Sequence, residues 1–181
     1  SGESKTDIYI LLNNQYESRE IKISYKKDNA DFLENKISAE RAEQLFGNNW
    51  QSIIQQSIKE IRTKFESRSL IYKSKSRKTE KGSVTLGWKF ELMNKLSGEL
   101  SNEIILSPQQ HLDVLSGNNL SEDKKNARVS GQVVANSGVA NFILIGSNFK
   151  KVEDVLNQLQ PIESYIAHNP KIYFACKALN Y

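Results

Sequence analysis

"SKTDIYILLNNQYESREIKISYKK", residues 4–27, is the stretch on which the reading of this chain turns. Ile8, Ile10 and Leu12 alternate with Asp7, Tyr9 and Leu11, and Ile21 and Ile23 alternate with Glu20, Lys22 and Ser24. Apolar residues at every second position mark strands with one face half buried. Asn13-Asn14, between the two runs, tolerates positive φ, so the stretch predicts an antiparallel hairpin closed by a two-residue loop. In that register Leu12 faces Gln15, Asp7 faces Glu20 and Lys5 faces Lys22. A four-residue loop would keep the same faces and bring Asp7 opposite Lys22. Like charges directly opposed destabilise a sheet. A divalent cation between the carboxylates would offset that cost, and acidic oxygens are the ligands Mg²⁺ prefers. Lys22, two residues after Glu20, points to the same side. The alternative is an ordinary hairpin with solvated surface charges.

Outward from the hairpin, the chain alternates helix and strand signals. Ser38 is placed to cap a short helix through Phe46, which Gly47 ends. Trp50, Ile53, Ile54, Ile58, Ile61 and Phe65 recur at helical spacing from Asn49 onward and predict one longer helix. Ser107-Pro108 opens another helix, stopped by Gly117. The last third reads as a strand over "ARVSGQVVA", a strand over "GVANFILIG", a helix over "VEDVLNQL" and a strand over "KIYFACKAL". This order predicts an α/β fold, with a mixed sheet flanked by helices, as one domain over residues 1–181. Ser1-Gly2 resembles a tag remnant and a strand begins soon after it, so an upstream segment is expected to be missing.

The 181 residues carry a net charge of +4 and 38% hydrophobic residues, enough for a core and weakly suggestive of an anionic partner. Charge is concentrated between Lys59 and Lys81, where nine lysines and arginines stand against three glutamates. The middle of that segment, "YKSKSRKTEKG", lacks apolar periodicity and predicts an exposed basic arm. The single cysteine, Cys176, excludes an internal disulfide and suits a reducing cytoplasm. No apolar run reaches membrane-spanning length, so no membrane partner is expected. The glycines form no phosphate-binding fingerprint, so no nucleotide cofactor is expected. His111 and His168 have no partners at metal or triad spacing, and Trp50 and Phe65 fall on an apolar helical stripe that reads as core.

"SKTD", a hairpin, and then "EIKISYKKDNADFLENK" together resemble the PD-(D/E)XK nuclease superfamily, and within it the Type II restriction endonucleases. The likeness covers residues 3–37. Ser4-Lys5-Thr6 stands where the family has proline, and an acidic residue on an upstream helix is lacking. The resemblance implies a restriction-endonuclease-like fold and a Mg²⁺-dependent, sequence-specific endonuclease for double-stranded DNA, working as a homodimer on a palindromic site. It implies that Asp7, Glu20 and the Ile21 carbonyl hold the metal and that Lys22 orients or deprotonates the attacking water. Lys26, Lys27, Asn29 and Lys36 would then run along the DNA. Lys5 is either a phosphate contact or a solvated strand-end lysine. Lys73, Lys75, Arg77 and Lys78 of the basic arm have the composition for phosphate contacts. The alternatives are a structure-specific or repair nuclease of the same superfamily, or a DNA-binding domain that kept the fold without catalysis.

Overall fold

The computed structural model describes residues 2–30, 32–69, 71–72 and 83–180. The basic arm, with Lys73, Lys75, Arg77 and Lys78, therefore lies outside the described residues. The chain opens with β1 (Ile8–Asn13), β2 (Ser18–Lys26) and β3 (Phe32–Glu34), followed by α1 (Ala39–Phe46), α2 (Trp50–Lys59) and α3 (Arg62–Glu66). A short β4 (Ile71–Tyr72) and a long β5 (Ser83–Met93) precede β6 (Ser101–Ile104). Then come α4 (Pro108–Ser116), α5 (Glu122–Lys125), β7 (Arg128–Val129), β8 (Gln132–Val133) and β9 (Phe142–Ile145). The chain closes with α6 (Val152–Gln158), β10 (Leu159–Pro161), α7 (Ile162–His168) and β11 (Ile172–Asn180).

The α/β expectation holds, with the strands shared between two principal sheets. One runs β1-β2-β9-β10, antiparallel at both ends and parallel between β2 and β9. The other runs β3-β5-β11-β6, with β4 on the edge of β5, and is antiparallel throughout. Side chains from both sheets and from the helices meet in one apolar cluster that includes Leu33, Leu45, Leu92, Ile143, Ile162 and Phe174. Phe90 and Phe174 stack across the β5–β11 pair with centroids 5.2 Å apart. Cys176 is buried at the margin of this cluster, and desolvation pushes its thiol up to about 11, which makes it an inert core residue. Among the described residues no helix is long and apolar enough to cross a membrane.

Helix ends follow their local chemistry. Ser38 caps α1 through the Arg41 N–H, and Gly47 leaves it at φ 72°. Ser107 and Gln110 form a reciprocal capping box at α4, whose C-cap Gly117 is left-handed. A Ser107→Ala variant is expected to lose about 1 kcal/mol of stability, read as a lower urea midpoint. Two expectations are corrected. The single helix predicted from Asn49 to Phe65 breaks at Ile61, whose φ of −111° and ψ of 9° separate α2 from α3. The strand predicted over "ARVSGQVVA" folds back as the β7–β8 hairpin, because Ser130 and Gly131 both take positive φ (49° and 85°) and make a tight turn.

The opening hairpin forms, but in another register. Asn14 Oδ1 accepts the N–H groups of Tyr16 and Glu17, and the Asn14 N–H reaches Glu17 O, so the loop spans four residues. Ile8 then pairs with Ile23 and Ile10 with Ile21, while Glu20 faces Leu11 and Lys22 faces Tyr9. The predicted register would have set Ile8 against Arg19 and Ile10 against Glu17. Matching isoleucine to isoleucine is worth more than the shorter loop.

Candidate functional site

The register separates the residues that the sequence set side by side. Asp7 lies just before β1, where its N–H bonds Ile23 O (2.8 Å) and its carboxylate accepts the Tyr25 N–H (2.7 Å). Tyr25 is five residues along β2 from Glu20, a distance of roughly 17 Å at strand rise. No ion can touch both carboxylates. The expected pairing of Asp7 with Glu20, with Lys22 beside it, is therefore overturned, and so is the alternative of Asp7 opposite Lys22. Glu20 instead accepts a 2.5 Å hydrogen bond from the Tyr9 hydroxyl, which raises the Tyr9 pKa. Ile21 is a cross-strand partner of Ile10. The Lys22 ammonium donates to Asn136 O at 3.0 Å, and its backbone N–H is taken by the Asn141 side chain.

What the structure does bring to Asp7 is a different set. A hollow of about 530 Å³ opens where the start of the chain and the end of β2 meet β3, and Lys5, Asp7, Lys26, Glu34 and Lys36 line it together with Glu3. Three elements hold these side chains in place. The segment before β1 is tied by Lys5 N–H to Gly138 O (2.9 Å), at a glycine whose Cβ would lie 2.0 Å from Lys124 O. Lys26 ends β2, so parallel pairing with Ile145 of β9 fixes its backbone. Glu34 ends β3, which pairs with β5.

Glu34 is the most constrained group of the set. It is 6% exposed, its Oε1 accepts from Arg41 Nε at 2.7 Å, and its Oε2 is ion-paired with Lys5. Lys5 also donates to Leu33 O at 2.9 Å, and the Arg41 Nη1 reaches Asn119 O at 3.2 Å. Burial alone would raise the Glu34 pKa, but Lys5 and Arg41 outweigh it and hold the carboxyl below its ordinary range. Lys5 is thus neither a solvated strand-end lysine nor an open phosphate contact, since its ammonium is buried against Glu34. Lys26 is half buried, while Lys27, Asn29 and Lys36 are exposed.

The predicted donor set of Asp7, Glu20 and the Ile21 carbonyl does not form a metal site, and among the described residues no three His, Cys, Asp or Glu side chains cluster as one. The hollow nevertheless suits the way Mg²⁺ is usually held, by one or two carboxylates completed by water and substrate phosphate. Tyr25 occupies one Asp7 oxygen, and the other has no hydrogen-bond donor among the described residues. Glu34 is a second carboxylate with acceptor capacity beyond its two cations. Lys26 and Lys36, the two lysines of this depression that Glu34 does not take, suit an anionic ligand.

No sequence pattern marks Glu34 or Arg41, and the resemblance implies only a flanking DNA contact for Lys26. The available signal was Ser24-Tyr25-Lys26, which repeats the spacing of Glu20-Ile21-Lys22 two periods further along the same strand face, with serine in place of the glutamate. No family model, curated protein or solved structure matches this chain significantly.

Proposed function

We propose that the chain is a magnesium-dependent endonuclease that hydrolyses phosphodiester bonds of double-stranded DNA, with its working centre in the Asp7 hollow. The reading rests on one observation, the meeting of Asp7, Lys26 and Glu34 in a single depression that also holds Lys5 and Lys36. A restriction-endonuclease-like fold is part of the proposal. Its support is the mixed sheet in which the hairpin bearing Asp7 and Lys26 continues into a parallel neighbour.

Each side chain then has a role. Asp7 would hold the ion through the oxygen that the Tyr25 N–H leaves open, and Glu34 is a second carboxylate in the same hollow. Lys26 orients the attacking water and neutralises charge that develops on the phosphate. A divalent ion bound there supplies a more acidic water and a Lewis acid for the phosphate oxygens. Lys36, exposed at the rim, meets the sugar-phosphate chain, and Lys27 and Asn29 follow it along the duplex. A palindromic target would be cut by a homodimer, because two-fold DNA symmetry is matched most simply by two-fold protein symmetry.

The test is incubation of supercoiled plasmid with the protein and Mg²⁺, with EDTA as control. Discrete linear fragments are expected with Mg²⁺ alone. A retarded but intact plasmid in both lanes would leave a DNA-binding domain without catalysis, and an unaffected plasmid would end the proposal.

A further inference from the structure

Lys36 lines two depressions. Besides the Asp7 hollow it borders a second one of about 480 Å³, lined by Trp50, Ile54, Trp88, Phe90 and Lys89. Trp50 begins α2 and Trp88 lies on β5, so the chain's two tryptophans come from distant parts of the sequence to one hollow. Both are only half buried, and both pack on the core. The Lys89 ammonium is committed to Glu91 and Asn35. Lys36 makes no ion pair among the described residues. It sits at the junction of the hollows with φ 50°, a left-handed backbone that a lysine rarely adopts.

We propose that this aromatic hollow receives a nucleobase, unstacked from the same nucleic-acid strand whose phosphate enters the Asp7 hollow, with Lys36 meeting the backbone between them. Aromatic side chains stack any base through its π face, and a neighbouring ammonium neutralises the phosphate that travels with it. A purely apolar ligand would have no use for Lys36, and a phosphate alone would have none for two tryptophans. The inference rests on the proposed nuclease reading, and it adds that the substrate is locally opened beside the cut.

Because both tryptophans line the hollow, their fluorescence reports on it directly. The experiment titrates the whole chain, in EDTA so that no cutting intervenes, with a short oligothymidylate and with an abasic sugar-phosphate chain of the same length. Quenching by the oligothymidylate and about tenfold weaker binding of the abasic chain are expected. A Trp88→Leu variant should lose the same factor, and the abasic comparison stands even where that variant fails to fold. Equal affinity for the two chains with unchanged fluorescence would overturn the base site. If base-dependent quenching is seen in a protein that cuts no DNA, the base site stands and the nuclease reading falls. If plasmid is cut but the abasic chain binds as well as the oligothymidylate, the nuclease reading stands and the base site falls.

Discussion

Asp7→Ala and Lys26→Ala are each expected to lower plasmid cleavage by at least about 10³-fold, the usual loss when a group acting on developing charge is removed. Glu20→Gln and Lys22→Ala are expected to cut near the unaltered rate. The contrast is sharp, because the resemblance assigns the chemistry to Glu20 and Lys22 while the proposed site uses Lys26. Glu20 is bonded to Tyr9, and Lys22 to Asn136, so each has a structural partner that accounts for it. Lys26→Ala should leave binding of DNA in EDTA largely intact, because a single lysine is one phosphate contact among several. If Lys22→Ala abolishes cutting and Lys26→Ala does not, the site has been put at the wrong point of β2.

The same strand pair shows how far the sequence could carry the reading. Period-two alternation fixed the existence of β1 and β2 and the face that each residue takes, since faces survive any even shift of register. It could not fix which residues are opposed. That depended on the Asn14 side chain, which takes two backbone N–H groups and stretches the loop, and on Ile8 meeting Ile23. A loop two residues longer that also begins one residue later, at Asn14, shifts the pairing by four residues and carries Asp7 away from Glu20. Local signals did well where the physics is local. Ser38, Ser107, Gly47 and Gly117 delimit α1 and α4 as their capping chemistry requires. They did poorly for Ser130-Gly131, where a turn pair lay inside an apolar run. β5 was legible and was missed: Val84, Leu86, Trp88, Phe90 and Leu92 alternate with Ser83, Thr85, Gly87, Lys89 and Glu91, the period of a strand with one apolar face, and β11 pairs with it along most of that length. Glu34 was hidden for a different reason. Its partners are seven and twenty-nine residues away, and no window of sequence holds all three.

Glu34→Ala is expected to destabilise the fold by about 3–5 kcal/mol, because it leaves two buried cations without their anion. Lys5 is 9% exposed and Arg41 2%, so neither can turn to water without moving the segment before β1 or the start of α1. Against a typical domain stability of about 5–15 kcal/mol, that loss is readily seen as a drop in urea midpoint. Arg41→Met should cost less than Glu34→Ala, since Glu34 would keep Lys5. The triad also sets a pH dependence. The folded Glu34 carboxyl is held below its ordinary range by Lys5 and Arg41, so its contribution is present above about pH 4.3, the unfolded carboxyl's pKa, and is lost as pH falls through the lower folded value. Glu34→Gln should therefore flatten the fall in stability on the acid side. An unchanged midpoint in Glu34→Ala, or an acid limb that does not respond to Glu34→Gln, would mean that the buried charges are not paired as described. The floor beneath Asp7 would then be something other than the fixed surface that the proposed cleavage requires.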